Sequence, residues 1–179
     1  MHTVKVLILG ATGGTGRHAT LEAVTRGYEV TALVRNRAKV PADFERVKII
    51  DGDARDPNAV AAAMQGQEAV VCVLGLGTGK AGLTPNALIA TTAPILVNAM
   101  TAANVRRLVF TSAFGIADTA HDAPLLARIV FAFVLQNVYA DKAMGDTAVR
   151  QSALDWTIVY PTLLTSRRRD ASAWANTSR

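Results

Sequence analysis

Short apolar runs alternate with longer segments of helical character along most of the chain. Residues 4–9 (VKVLIL) form a nearly unbroken apolar run, as expected of a strand buried on both faces. Further runs at 28–34, 47–50, 69–74, 107–111 and 156–159 read as strands,. Helical segments fall between them: from a glycine turn to about residue 26, then 57–64, 85–103 and 139–152,. Gly27 closes the first, as a residue tolerant of positive φ should. Pro57 and Pro85 stand where a first-turn proline is accepted,. Strand and helix in this order imply an α/β domain with a doubly wound parallel sheet, right-handed crossovers and helices on both faces.

Two stretches disturb the pattern. Pro94 lies inside the 85–103 helix, where it should remove a hydrogen bond and kink the axis. Residues 123–138 carry Leu125, Leu126, Ile129, Val130, Phe133 and Val134 at helical spacing, which reads as a core-packing helix.

Composition adds limits. A chain of 179 residues, 50% hydrophobic and 18% charged, suits one globular domain with a real core. The net charge of +5 is concentrated in residues 166–179, where four arginines face Asp170. A ragged basic tail is not the folded basic face that tracks phosphates, so a nucleic-acid role is not expected. The sole cysteine, Cys72, sits in an apolar run and reads as a small buried thiol,. The first strand begins near residue 3, leaving no room for a signal peptide,. The apolar stretch 125–135 is broken by Arg128 and falls short of the ~20 residues that span a bilayer. A cytoplasmic protein without membrane association or a metal site is the expectation.

The chemistry begins after the first strand, at Gly10-Ala-Thr-Gly13-Gly14-Thr15-Gly16. Gly10 permits a sharp turn, Gly13 close approach of backbone to a pyrophosphate, and Gly16 packing of the helix on the sheet. Amides at the helix start then attract phosphates, with Thr12 and Thr15 as added hydroxyl donors. Strand before and helix after give this motif its weight. The fold expected is therefore Rossmann-type. At the end of the second strand, NAD-specific sites place a carboxylate for the ribose 2′-hydroxyl. This chain offers Arg35, Arg37 and Lys39 instead, which suits the 2′-phosphate of NADP(H) and makes NAD(H) the lesser candidate. Asp53 and Ala54, after the third strand, are placed for the adenine edge; Leu74 and Gly75, after the fourth, approach the nicotinamide-side ribose,.

With those positions in hand, the chain resembles the atypical short-chain dehydrogenase/reductases, in particular their NmrA-like branch with biliverdin-IXβ and flavin reductases. The resemblance is carried by GATGGTG (10–16), GYEVTALVRN (27–36), GDARD (52–56), VLGLG (73–77), RLVFTSAFG (107–115), YADKAM (139–144) and QSALDWTIVYPTLLT (151–165). It implies an NAD(P)-binding domain over residues 1–165, followed by an Arg-rich, irregular tail at 166–179. After Thr165 the resemblance stops, so the C-terminal end reads as truncated or irregular.

The resemblance further implies that Gly10, Thr12, Gly13, Gly14, Thr15 and Gly16 hold the pyrophosphate. It assigns Arg35 to the 2′-phosphate and Asp53 and Ala54 to the adenine. Leu74, Gly75, Ser112, Pro161, Thr162 and Leu163 surround the nicotinamide. Ser112 is a candidate to bond a substrate carbonyl or the nicotinamide amide, or else merely to satisfy a strand end. Lys142 is a candidate for the ribose hydroxyls. Tyr139 precedes Lys142 by three residues rather than the four of the usual Tyr-x-x-x-Lys pair, so it reads as packing or as a poor proton donor. His121 reads as a surface loop residue. The implied activity is NADPH-dependent reduction of a flavin, bilin or quinone-like acceptor, with a flavin as possible substrate. The alternative is a non-catalytic NADP(H) sensor acting on a protein partner.

Overall fold

The computed structural model describes residues 2–75, 87–113 and 136–161, with the backbone alone for 136–139. Six strands form one parallel sheet: β1 (Lys5–Leu9), β2 (Glu29–Val34), β3 (Val47–Asp51), β4 (Ala69–Cys72), β5 (Arg107–Thr111) and β6 (Asp155–Val159), in the order β3-β2-β1-β4-β5-β6. The helices are α1 (Gly14–Thr25), α2 (Pro57–Met64), α3 (Leu88–Ala102) and α4 (Gln136–Arg150), and a short 3-10 turn spans Arg37–Lys39. This is the Rossmann-type arrangement expected from the alternation of strand and helix.

The chirality of crossovers dictates which face each helix covers. From β1 the chain moves through α1 to β2 on one side. The crossovers β3-α2-β4, β4-α3-β5 and β5-α4-β6 all run the other way, so their helices cover the opposite face. The core divides accordingly. Leu7, Leu9 and Val70 pack with Val60 and Met64 of α2, Leu96 and Met100 of α3, and Val149 of α4. Val6, Ile8, Val30 and Ala32 form the second layer with Leu21 and Val24 of α1. Consecutive residues of β1 thus feed alternate cores, which is why its sequence is apolar without alternation. Reversal of direction between β1 and β4 opens a crevice at their carboxyl ends, the place where open α/β sheets take ligands.

Element ends differ slightly from the sequence expectation. Strand β2 starts at Glu29, leaving Tyr28 exposed in the turn, and β4 ends at Cys72. Helix α3 runs unbroken through Pro94, whose exposed position puts the lost hydrogen bond on the solvent side,. Cys72 is buried, and burial pushes its thiol up to about 11, consistent with an inert packing group. Pro85, most of the apolar stretch 123–138, His121 and the tail 166–179 lie outside the described residues. Among the described residues, no helix is long and apolar enough to cross a membrane, and no cluster of metal ligands occurs.

Candidate functional site

The chain leaves β1 through Gly10, which has φ +87° and turns across the end of β4. A Cβ there would stand 2.7 Å from the Val73 carbonyl oxygen, and Val73 is itself fixed by its N–H donating to Leu9 O at 2.9 Å. Only glycine fits a left-handed residue against an immovable backbone. Gly16, buried one turn into α1, is packed so closely on Gly10 that a Cβ would overlap the Gly10 carbonyl. Its glycine therefore serves the turn itself as well as the helix–sheet contact.

The helix starts are treated differently. Asp56 caps α2 by accepting from Asn58 N–H at 2.9 Å, ahead of Pro57. The start of α3 has no capping side chain of its own, but Asp141 of α4 reaches it, accepting from Ile89 N–H at 3.0 Å and Ala90 N–H at 2.8 Å. Helix α1, with Gly13 as its N-cap residue, has no side-chain cap and no acid in its first turn. Its first amides lack intrahelical acceptors and are open to an anion.

A cavity of about 370 Å³ lies over this helix start, lined by the carboxyl ends of β1 to β4. Gly10, Thr12 and Gly13 form its floor, Arg35, Asn36 and Lys39 one wall, Asp53 and Ala54 a second, and Val73, Leu74 and Gly75 a third. Leu88, the first residue of α3, closes it. Gly14, Thr15 and Gly16 do not line it.

The three cations after β2 are separated by the 3-10 turn. Asn36 caps that turn by accepting from Ala38 N–H at 3.0 Å. Lys39 returns to the cavity wall beside Arg35, whereas Arg37 pairs with Asp51 at 2.8 Å and is not part of the wall. Neither Arg35 nor Lys39 forms an ion pair with an acid among the described residues. Asp53 is gripped by Arg55 through Nε to Oδ1 (3.1 Å) and Nη2 to Oδ2 (2.7 Å), with the Arg55 N–H donating at 2.9 Å. The Arg55 hydrogen bonds, outweighing burial, hold the Asp53 carboxyl down to about 2. It presents lone pairs only, suited to a ligand N–H.

The other candidates gather under α4. Ser112 is buried and donates to Asp146 Oδ2 at 3.0 Å; the Tyr160 hydroxyl donates to the same oxygen at 2.8 Å and accepts from Arg150 Nη2 at 3.1 Å. Lys142 Nζ donates to the carbonyls of Thr111 (3.4 Å) and Ser112 (3.2 Å) at the end of β5. Burial raises the Asp146 pKa and lowers that of Lys142. Neither Ser112, Lys142 nor Pro161 lines the cavity. Helix α4 lies close on α3 at Gly145, where a Cβ would overlap Ile89. The side chain of Tyr139, and Thr162 and Leu163, fall outside the described residues.

Sequence reasoning missed Asp141, Asp146, Tyr160 and Arg55 as organising residues. Only Asp146 leaves a signal in spacing: Lys142, Asp146 and Arg150 recur every fourth position, placing polar groups on one helix face.

The cavity suits the adenosine–pyrophosphate half of a dinucleotide: a tight glycine turn at its floor, a helix start without a side-chain cap at its edge, and two cations that form no ion pair among the described residues. A protein-family model described as NAD(P)H-binding matches residues 10–177. The chain belongs to the NAD(P)H-binding family.

Among curated relatives, a photosystem II assembly factor Ycf39 of Trieres chinensis is 39% identical over 71 residues, covering 38% of this chain and 22% of that protein. An uncharacterised chloroplastic protein of Arabidopsis thaliana is 26% identical over 164 residues, covering 89% of this chain and 59% of its own. Isoflavone reductase of Cicer arietinum is 27% identical over 150 residues, with 71% and 43% covered. The chain thus spans from about a fifth to three fifths of the length of these relatives.

Three solved structures show the same fold. The oxidoreductase ylbE of Lactococcus lactis superposes with a TM-score of 0.76 at 24% identity, covering 92% of this chain and 72% of that one. A short-chain dehydrogenase/reductase of Veillonella parvula in complex with NADP gives 0.71 at 21%, covering 88% and 68%. ChuY, an anaerobilin reductase of Escherichia coli O157:H7, gives 0.71 at 20%, covering 88% and 72%.

Proposed function

We propose that the chain binds NADP(H) in preference to NAD(H) and uses it to reduce a flat, conjugated small molecule of the flavin, bilin or quinone type. One observation carries this reading. Gly13, the N-cap of α1 with no side-chain cap, and the cations Arg35 and Lys39 line the same cavity, so the open helix start lies at one edge of it and two cations at another. A pyrophosphate suits the first and a 2′-phosphate the second. The NADP complex of the Veillonella protein and the reductases named among the similar proteins support the choice.

Bound NADPH would supply the hydride. The chain's own residues hold and orient: the glycine turn fixes the pyrophosphate, Asp53 accepts from the adenine amino group, and Leu74 and Gly75 lie alongside the path toward the reactive end. A second reading has its own support. The hydroxyl proton of Ser112 goes to Asp146, and Lys142 is occupied with strand-end carbonyls, so both candidate catalytic groups are engaged in structure. That favours a sensor transmitting NADP(H) occupancy to a protein partner.

Calorimetric titration with NADP+ and NAD+, then NADPH consumption with FMN, a bilin and dichlorophenolindophenol, separates these readings. Preferential NADP+ binding with turnover supports the reductase. The same binding without turnover over that panel supports the sensor. Absence of binding to either dinucleotide by folded protein overturns both.

A further inference from the structure

The carboxyl end of β3 brings two carboxylates, Asp51 and Asp53, beside the cations that follow β2. The register pairs Asp51 with Val34, the residue before Arg35, and Gly52 N–H donates to Val34 O at 3.1 Å. An unmatched carboxylate at that point would oppose any phosphate held by Arg35 and Lys39. Each carboxylate has instead its own arginine: Arg37 on Asp51 at 2.8 Å, Arg55 on Asp53 at 2.7 Å. Neither arginine lines the cavity. The acids are thus compensated chiefly from outside the cavity: Arg35 acts on Asp53 only through space and less than Arg55 does, and Arg35 and Lys39 form no ion pair among the described residues.

The geometry points to Arg37 as a specificity-determining residue that acts through Asp51: it masks a carboxylate that would otherwise cancel the 2′-phosphate site, without touching the phosphate. This rests on the NADP(H) reading above and adds a division of labour among three neighbouring cations. Arg35 and Lys39 are ligands; Arg37 is a counter-ion.

A double-mutant cycle tests it, read as dissociation constants for NADP+ and NAD+. Arg37→Gln should weaken NADP+ about three- to tenfold, the size expected for one unmasked charge acting across a partly solvated gap on a phosphate. NAD+ affinity should change less than about twofold, since it carries no charge at that position. Asp51→Asn should restore NADP+ affinity in the Arg37→Gln background, and the loss should shrink as salt is raised. Both substitutions are at exposed positions, so the variants should melt close to the unsubstituted chain,.

Three results overturn the masking. An Arg37→Gln loss that persists undiminished when Asp51→Asn is added makes Arg37 a direct ligand. Equal losses for NADP+ and NAD+ make its role structural. No loss at all makes Asp51 harmless to the phosphate. Each of these is read against an unsubstituted chain that prefers NADP+. If that chain lacks the preference, the cofactor reading itself falls, and the masking with it.

Discussion

Substituting Asp141 should unfasten α3 from α4 and lower stability far more than its place in a helix interior suggests. Asp141 is 5% exposed, and its carboxylate accepts from two amides at the start of α3, 51 and 52 residues away. A lost N-cap costs ~0.5–2 kcal/mol, and hydrogen bonds to a charged group are worth ~1.5–3 kcal/mol each without being additive. Burial removes the option of water as a replacement, so Asp141→Ala should cost about 3 kcal/mol. Asp141→Asn keeps one acceptor but turns an amide N–H toward a backbone donor, and should cost about half as much. For a domain of this size each kcal/mol lowers Tm by ~2–4 °C, so Asp141→Ala should melt about 6–12 °C lower. Thermal and urea unfolding followed by circular dichroism measure both. An Asp141→Ala protein melting within ~1 °C of the unsubstituted chain, or identical losses for Ala and Asn, would refute the cap.

Arg35→Glu should weaken NADP+ by ~1–3 kcal/mol or more in a titration, through a lost charge-assisted contact and new repulsion, while NAD+ changes far less. Tyr160→Phe removes a donor to buried Asp146 and an acceptor from Arg150, and should cost ~1–3 kcal/mol in urea unfolding. That bond favours the ionised carboxylate, so its loss raises the folded pKa of Asp146 further. The Tyr160→Phe deficit should therefore be largest at neutral pH and diminish once acid protonates Asp146. The Asp53–Arg55 pair gives a deficit with the same pH direction, although here the carboxyl pKa is lowered overall rather than raised. Its depressed carboxyl, about 2 in the folded state, contributes stability above about pH 4 that is lost as pH falls toward 2. Arg55→Gln should thus show a small, constant deficit at neutral pH that vanishes in acid unfolding measurements.

The sheet was legible because burying β1 on both faces demands an unbroken apolar run, and each parallel neighbour demands a crossover helix. The glycine turn was legible for a related reason. Gly10 and Gly16 sit where a Cβ would strike backbone, a constraint that leaves its trace in composition. The basic run after β2 was legible as a candidate anion site, but its internal division was not. Arg35, Arg37 and Lys39 are equivalent as text, and only the Asn36-capped turn decides that one of them leaves the cavity for Asp51.

Helix α4 shows the limit most clearly. Hydrophobic periodicity finds a helix by the apolar stripe it buries, and α4 docks through a face that is partly polar. Asp141 caps α3, Lys142 ties down the end of β5, Asp146 gathers Ser112 and Tyr160, and Arg150 bonds Tyr160 while lying over Trp156. Gly145 and Val149 supply the close apolar contact between them. Each polar group answers a partner distant in sequence, and a chain read in order has no means of pairing them. Lys142 in particular has the residue type expected of a group beside the cofactor, yet its ammonium is directed at carbonyls of the sheet. Buried polar groups of this kind act only as a complete set, because each one stripped of its partner carries a desolvation cost with nothing to offset it. The face of α4 therefore behaves as one bracket, fixing the start of α3, where Leu88 closes the cavity, against the ends of β5 and β6. A reductase or a sensor built on this chain would depend on that bracket equally, since it sets the distance between the cofactor half of the site and whatever lies beyond Ser112.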